Sequence, residues 1–244
     1  MTPQRSMPSI AARPEPVSID PQRTALLVID MQNDFASTGG MFERAGIEVS
    51  GISAAVAATA PVLRAARAAG IPVIYLKMEH DPDLVDAGPH DAPHWIKHVP
   101  MGVGSSAAAP DGRPSRVLVR DTWNTDVVDE LAPEPGDHVV SKHRYSGFFE
   151  TELDELLQGL GAKHLLVTGC TTSICVESTV RDAMFRDYAC VVLRDCTAEP
   201  IGSGLARTNH EASLLVIETL FGWTASSDAV LAAFLAHAAS TSTV

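Results

Sequence analysis

The feature that most constrains the fold of this chain is a repeated alternation of short apolar runs with longer amphipathic stretches. The first run, Thr24–Ile29, predicts a buried strand, and the alanine-rich stretch 53–69 predicts a helix. Strands alternating with helices imply right-handed crossovers and a mostly parallel, Rossmann-like sheet in a three-layer α/β/α domain. By the same pattern we expect further strands over 72–76, 137–141, 163–168 and 190–194, a short edge element over 116–119, and helices over 150–159, 175–186, 205–219 and 229–238.

Length and composition fit a single domain of this kind. A chain of 244 residues with 45% hydrophobic residues can bury a full core. The sequence shows no internal repeat and no second core, so we expect one domain over residues 18–240. The polar, proline-containing segment 1–17 that precedes it is predicted to be a flexible N-terminal arm.

The charge of the chain excludes two classes of partner. Its formal net charge of −12 repels phosphate backbones and anionic lipid surfaces, so we expect no nucleic-acid partner and no membrane association. No apolar run approaches the ~20 residues of a membrane span. The N-terminus lacks the apolar core of a signal peptide, and the 4 cysteines include no CxxC pair. Reduced cysteines and a cytoplasmic location are therefore expected.

A long connection follows the second predicted strand, from Glu79 to about Pro114, and is rich in Pro, Gly, Asp and His. A connection of this length within one domain is usually a lid or a substrate loop. Its histidines, from His80 to His98, are expected to be solvated loop residues. The sequence therefore predicts neither a metal site nor a cofactor.

Three reactive side chains come just after predicted strands. Asp30 follows the first strand, Lys142 follows the strand over 137–141, and Cys175 follows the strand over 163–168 after one short loop. Each alone has an ordinary interpretation, as a turn residue, a surface lysine or a core cysteine. Because ligands of an open parallel sheet bind outside the carboxyl ends of its strands, their joint occurrence predicts one site.

These three side chains suit nucleophilic catalysis on a carbonyl group. Cys175 is the nucleophile, and its position at a predicted helix N-terminus, beside the Lys142 ammonium, is expected to lower the pKa of its thiol. Asp30 can take the thiol proton and return it to a leaving amine. The backbone N–H groups of Thr171 and Cys175 are candidates for an oxyanion hole.

Three motifs carry a resemblance to a known family. They read VIDMQNDF (28–35), SKHRYSGFFET (141–151) and TGCTTSICVESTVRDA (168–183), and they resemble the motifs of the isochorismatase-like cysteine hydrolases. The likeness covers nearly the whole chain, from about residue 12 to residue 234. It implies the isochorismatase-like form of the α/β/α fold expected above.

Carried over position by position, the resemblance implies that Asp30, Lys142 and Cys175 form a catalytic triad. It also implies a non-proline cis peptide bond between Cys170 and Thr171, which turns the Thr171 N–H toward the substrate. Cys170 is then a structural residue, and the oxyanion site comprises Cys170, Thr171 and Cys175.

Other segments relate the substrate to ureido compounds. RYSGFF (144–149), CVESTVRD (175–182) and IETLFGW (217–223) resemble the ureidoacrylate amidohydrolases, whereas the loop segments 77–84 and 111–118 resemble biuret hydrolases. The resemblance implies cleavage of a C–N bond in a small ureido or N-carbamoyl compound through a thioester, with release of ammonia or carbamate. Biuret or triuret hydrolysis is the alternative.

Four residues are candidates for substrate binding. Arg144 and Tyr145 suit a planar, hydrogen-bonding substrate, although a salt bridge at Arg144 is an equally open interpretation. His80 lies on the loop expected to close the pocket, and Phe35 follows the aspartate motif closely enough to form a pocket wall. For Trp223, packing in the core or at a subunit interface is favoured over a role in the pocket.

Three other functions fit the residues less well. Metal-dependent nicotinamidases carry an Asp-x-His…His cluster beside the second strand, where this chain reads Glu79-His-Asp-Pro. Isochorismatases cleave a vinyl ether and often lack the cysteine, whereas Cys175 favours acyl transfer. A non-catalytic small-molecule binding protein is expected to have a broken triad, and here all three residues are present.

Apolar residues in and after the helix predicted over 205–219 exceed what one buried helix face needs. Together with the resemblance, they predict a homodimer or homotetramer in which neighbouring subunits help to close each pocket. These residues are Leu214, Leu215, Leu220, Phe221 and Trp223.

Overall fold

The structure, a computed structural model, describes residues 7–241. Its strands are β1 (Ser9–Ile10), β2 (Ala12–Arg13), β3 (Val17–Ser18), β4 (Thr24–Ile29), β5 (Val73–Met78), β6 (Ser106–Ala108), β7 (Pro114–Arg116), β8 (His138–Lys142), β9 (His164–Cys170), β10 (Ala189–Ala198) and β11 (Gly222–Ala225). Its α-helices are α1 (Asn33–Ala36), α2 (Met41–Arg44), α3 (Ser50–Ala68), α4 (Pro93–His98), α5 (Leu153–Gly159), α6 (Glu177–Met184), α7 (Asn209–Val216) and α8 (Ser227–Thr241). Within this range, no helix is both long enough and apolar enough to span a bilayer.

The main sheet has the strand order β2-β11-β10-β9-β4-β5-β8. All of its neighbouring strands pair in parallel except β2, which pairs antiparallel with β11 at one edge. The expected mostly parallel sheet is therefore confirmed. From β4 the chain passes outward to β5 and β8, and then returns to the other side of β4 to form β9. This reversal makes the gap between β4 and β9 the topological switch point, where ligands of such sheets bind.

Both faces of the sheet are covered, as an α/β/α domain requires. Every residue of β4 is buried, and successive side chains alternate between two apolar cores. Leu26 and Val28 face the core formed with α3 and α8, while Leu27 and Ile29 face the core formed with α5, α6 and α7. Successive side chains of a strand point to opposite faces of the sheet. Because both faces are covered here, every position is buried, and the sequence shows an unbroken apolar run.

The N-terminal segment differs from the expected flexible arm over residues 1–17. Residues 1–6 lie outside the described range, but from residue 9 onward the chain is paired. Strand β2 extends the main sheet through Arg13, opposite Thr224, and β1 pairs with β3. Ile10 is fully buried in the larger core. The buried apolar residues of this segment include Ile10 and Val17 and stand among polar residues, and such a short pattern gives little indication of strands in a sequence.

The long connection after β5 is built from short elements rather than from bare loop. It contains α4 and the β6–β7 hairpin, and His80 forms a β-bridge with Val119. The edge element expected over 116–119 is thus displaced toward Pro114–Arg116. The connection folds back over the carboxyl edge of the sheet, where it meets the ends of β4, β5 and β8.

Candidate active site

Asp30 lies at the carboxyl end of β4, where the backbone turns sharply. Its φ is 52°, in the left-handed region that non-glycine residues seldom occupy, and its N–H donates to Leu76 O at 2.9 Å. The facing strand approaches closely at Gly169, whose φ is 131° and whose position leaves no room for a Cβ against the Ile29 carbonyl. Cys170 Sγ then lies 3.1 Å from Asp30 O. These contacts fix the backbone of Asp30 at the carboxyl edge of the sheet.

Lys142 lies at the end of β8, two strands away from β4. Adjacent strands are about 4.8 Å apart, so its side chain must cross over β5 to reach Asp30. It does so beside Met78, with Nζ 3.8 Å from the Met78 sulfur and 2.8 Å from Asp30 Oδ2. Nζ also donates to Arg144 O at 3.2 Å. Both charged side chains are almost completely buried.

Cys175 lies within a π-helical turn, Thr172–Val176, that joins β9 to α6. The N–H of Val176 donates to Thr171 O at 3.2 Å, which closes this wide turn. The peptide bond between Cys170 and Thr171 is cis, as the resemblance to the cysteine hydrolases implied. Strand β9 and its turn thereby place the thiol at the switch point beside Asp30.

Burial is the largest influence on the pKa values of Asp30, Lys142 and Cys175. It raises the pKa of the Asp30 carboxyl, against the attraction of Lys142 and hydrogen bonding with Cys175. Burial alone would lower the pKa of Lys142, but the neighbouring Asp30 and Cys175 outweigh it and raise the pKa. The lysine therefore keeps its proton, and the carboxylate lies nearer to neutrality than an exposed aspartate.

The expected lowering of the Cys175 thiol pKa is wrong. Burial raises it, and the negative charge of Asp30 raises it further, while the Lys142 ammonium only partly opposes the shift. The sulfur also lies inside the π-helical turn rather than at a free helix N-terminus. The resting thiol is consequently protonated, and a base must remove its proton as it reacts.

A small cavity of about 70 Å³ lies between the catalytic candidates Asp30 and Cys175. It is lined by both of them and by Cys170 and Thr171. Of the four candidates for substrate binding, Phe35 and Tyr145 also line it, and the remaining wall is formed by Met41, Phe42, Met78, His98, Met101, Leu118, Ile174 and Ile201. A larger cleft of about 460 Å³ lies near Leu220 and Trp223, but none of the triad residues lines it.

The other two candidates for substrate binding, Arg144 and His80, are not among the residues that line this cavity. Arg144 donates from one guanidinium nitrogen to the carbonyl oxygens of Asp86 and His143, at 2.9 and 2.7 Å. His80 is fully buried, with Nδ1 3.2 Å from Asp86 Oδ1. Phe35 and Tyr145 thus line the cavity beside Asp30 and Cys175, whereas Arg144 meets the triad only through its carbonyl oxygen and His80 does not line the cavity.

Three histidines of the long connection, His80, His94 and His98, are not the solvated residues that the sequence predicted, whereas His90 is exposed. His80 and His98 are buried, and nitrogens of His80, His94 and His98 lie within 4.8 Å of one another. His94 and His98 are four residues apart on α4, which is a spacing that places both on one helix face. That spacing was the available signal for this cluster.

Residues far along the chain support the nucleophile turn, and the sequence did not indicate them. The buried Glu199, just after β10, accepts hydrogen bonds from the N–H and hydroxyl of Ser173. Thr172 Oγ1 lies 2.9 Å from His210 Nδ1 on α7. Neither partner belongs to a recognisable motif, because the contact exists only once β9, β10 and α7 are adjacent.

Comparison with known proteins gives a consistent result. The sequence model of the family described as Isochorismatase domain matches residues 24–229. The chain is 43% identical over 214 residues to "Ureidoacrylate amidohydrolase RutB" of Methylobacterium radiotolerans, covering 88% of this chain and 80% of that protein.

Two solved structures are also similar to this chain. A cysteine hydrolase from Pseudomonas syringae pv. phaseolicola has a TM-score of 0.74 and 29% identity, covering 90% of this chain and 95% of that one. N-carbamoylsarcosine amidase from Thermoplasma acidophilum has a TM-score of 0.61 and 26% identity, covering 84% and 97%.

Proposed function

Because this chain belongs to the isochorismatase family, we propose that it is a cysteine amidohydrolase acting on a C–N bond of a small ureido or N-carbamoyl compound. The observation that carries the proposal is the buried Asp30–Lys142 ion pair, whose carboxylate shares a cavity with the Cys175 thiol. A nucleophile, a base and a fixed cation converge there at the switch point of the sheet.

The proposed reaction begins with transfer of the thiol proton to Asp30 as the sulfur of Cys175 attacks the substrate carbonyl carbon. A C–S bond forms, and the tetrahedral oxyanion is stabilised by backbone N–H groups of Thr171 and Cys175. Asp30 then gives the proton to the leaving nitrogen, the C–N bond breaks, and ammonia or an amine departs. The raised pKa of Asp30 suits this exchange of roles between base and acid.

The resulting thioester is hydrolysed by water in the second half of the reaction. Asp30 takes a proton from the water, whose oxygen bonds to the carbonyl carbon, and the C–S bond breaks. The departing sulfur regains the proton from Asp30, which restores the resting site. Where the acyl product is a carbamate, it decomposes to carbon dioxide and an amine, or to carbon dioxide and ammonia when its nitrogen carries no substituent. Lys142 keeps its proton throughout and holds Asp30 in place.

The relatives support a ureido or N-carbamoyl substrate. One is named for ureidoacrylate and another for N-carbamoylsarcosine. In both names the substrate includes a carbonyl group flanked by nitrogen, which is the planar group that a nucleophilic cysteine can attack. The sequence likeness is stronger to the first, so ureidoacrylate is the leading candidate.

Biuret or triuret is a second candidate, favoured by the charge of the cavity wall. Ureidoacrylate carries a carboxylate, but none of the described residues lining the cavity is an arginine or a lysine. Burial lowers the pKa of His98 to about 4, so this lining residue is neutral at neutral pH. Arg144 is bonded to backbone carbonyls, and Lys142 is paired with Asp30. The wall thus suits an uncharged substrate.

Ammonia release from a panel of ureidoacrylate, biuret, triuret and an N-carbamoyl amino acid tests the function. We expect turnover of at least one of them, and Cys175→Ala to reduce it by at least ~10³-fold while the fold is kept. Cys190→Ala, at a buried cysteine in the core, is the matched control and should retain activity. Near-normal turnover by Cys175→Ala would contradict the covalent mechanism.

A further inference from the structure

A cluster of three imidazoles adjoins the catalytic cavity and has no part in the reaction proposed above. His80 follows β5, whereas His94 and His98 project from the same face of α4. One ring nitrogen from each lies within 4.8 Å of the other two. Two separate segments of the chain thus bring three imidazole nitrogens close together.

The nitrogens of His80 are divided between a carboxylate and the cluster. Its Nδ1 lies 3.2 Å from Asp86 Oδ1, which fixes the proton on Nδ1 and leaves a lone pair on Nε2. Among the described residues, Nε2 has no hydrogen-bond partner, and the side chain is fully buried. Buried polar atoms normally have a hydrogen-bond partner, so this nitrogen is an exception that requires an explanation.

His98 and His94 complete the cluster in a similar way. Nε2 of His98 lies 3.3 Å from the hydroxyl of Tyr145, and its Nδ1 lies 2.9 Å from Nε2 of His94. In the tautomer with the His98 proton on Nδ1, that nitrogen donates to Nε2 of His94 and Nε2 accepts from Tyr145. An imidazole binds a metal ion through the lone pair of an unprotonated ring nitrogen. For an ion to bind between the two rings, the proton must move to Nε2, which then donates to Tyr145, so the ion replaces the hydrogen bond between His98 and His94.

We propose that His80, His94 and His98 bind one divalent transition-metal ion of the Zn²⁺ type beside the catalytic cavity. Imidazole donors favour zinc, cobalt, nickel or copper over magnesium or calcium. Three protein ligands leave a coordination position open for water or a substrate atom. The ligand set also differs from an Asp-x-His cluster, because the carboxylate of Asp86 orients an imidazole and is not itself a ligand.

The position of the cluster gives the ion access to both solvent and substrate. His94 is only partly buried, so an ion can enter from that side. His98 and Tyr145 line the cavity that contains Cys175. The inference goes beyond the proposed hydrolysis, since attack by the thiol on a carbonyl does not require an ion.

The test is metal binding by the full-length protein after treatment with a chelator. Equilibrium dialysis against Zn²⁺, followed by elemental analysis, should give one equivalent per chain. Co²⁺ should give the visible absorption bands of a low-symmetry imidazole site. His94→Ala should lose the bound equivalent, and its partly exposed position limits any effect on folding. His90→Ala, at an exposed histidine of the same connection, is the matched control and should retain the ion.

Two further variants separate this site from the triad and from a merely structural cluster. Asp86→Asn should weaken Zn²⁺ binding by about 10–100-fold, because it removes the group that orients His80. Cys175→Ala should bind Zn²⁺ as the wild type does while losing hydrolysis. Absence of bound Zn²⁺ and Co²⁺ in the wild type, or full binding by His94→Ala, would overturn the proposal. Loss of binding in Cys175→Ala would assign the ion to the thiol instead and overturn it equally.

Discussion

Asp30 and Lys142 carry opposite charges 2.8 Å apart in a place that is almost closed to water. Burying either charge alone is unfavourable, and the pair persists because each charge stabilises the other. The Lys142 ammonium also lowers the pKa of the Cys175 thiol, but burial and the charge of Asp30 outweigh it and keep the proton on the sulfur. The site therefore holds a neutral thiol beside a base, rather than a free thiolate.

Replacing Lys142 tests this electrostatic balance. Lys142 lowers the pKa of both Cys175 and Asp30, so Lys142→Ala should raise both. Alkylation of Cys175 by iodoacetamide requires the thiolate, and each unit of increase in the thiol pKa slows it about tenfold at neutral pH. The hydrolytic activity that remains should be lost at a higher pH on acidification, because Asp30 is protonated sooner as the pH falls.

The measurement is the alkylation rate of Cys175 against pH, followed by mass spectrometry. Lys163→Ala, at an exposed lysine, should leave the profile unchanged. Circular dichroism of Lys142→Ala separates an electrostatic effect from unfolding. An unchanged thiol pKa in a folded Lys142→Ala variant would show that the ammonium does not stabilise the thiolate.

The π-helical turn Thr172–Val176 is short, and its geometry depends on neighbouring elements. Glu199, at the end of β10, holds Ser173 by two hydrogen bonds and also accepts one from the N–H of Ile201. On the other side, Thr179 on α6 accepts from the N–H of Gly147 and donates to Cys175 O at 2.7 Å. The nucleophile is thereby connected to β10 and to the loop after β8.

Glu199→Gln tests this support. The amide keeps the volume, but its NH2 group must face either the donors of Ser173 or the N–H of Ile201, so the turn should shift. Because a displacement of about 1 Å can cost ~10²-fold in rate, we expect kcat to fall by up to about that factor while KM changes less. Ser173→Ala leaves the carboxylate with fewer donors and should have a smaller effect.

Steady-state kinetics of the variants, with Glu155→Gln at an exposed glutamate as control, provide the measurement. A rise in KM with unchanged kcat in Glu199→Gln would place Glu199 in substrate binding instead. Wild-type values for both constants would show that the turn does not depend on this contact.

The domain has an exposed apolar region at some distance from the residues that line the catalytic cavity. Leu220 is 70% exposed, and Phe221 and Trp223 beside it line an open cleft of about 460 Å³. Leu214 is buried, so it serves the core and not this surface. The exposed part of the set supports the proposal of a homodimer or homotetramer, because surfaces of this kind are commonly covered by another subunit.

Leu220→Glu is expected to weaken this association. A charge in an apolar contact must be desolvated, so the variant should dissociate at concentrations where the wild type is oligomeric. Light scattering after size exclusion at micromolar concentration measures the mass. Val85→Glu replaces an equally exposed apolar residue in a different segment and should leave the mass unchanged. A monomeric wild type would contradict the proposed assembly.

The fold and the three catalytic candidates followed from local patterns. The strand predicted at Thr24–Ile29 has the predicted bounds, because a fully apolar run is buried on both faces of a parallel sheet. Asp30, Lys142 and Cys175 could be assigned together since parallel strands end at the same edge. Helix bounds were less accurate: the helix expected over 175–186 begins as a π-helical turn and continues as Glu177–Met184.

Contacts between distant segments decided everything else about the site. The raised pKa of the Cys175 thiol, the histidine cluster and the support from Glu199 each depend on which elements pack together. The position of each of the five central strands could be predicted to within a few residues, because a buried strand carries its own run of apolar residues. The exclusion of water from the site and the contacts between its side chains could not be predicted in this way, because both depend on packing between residues that are far apart in the chain.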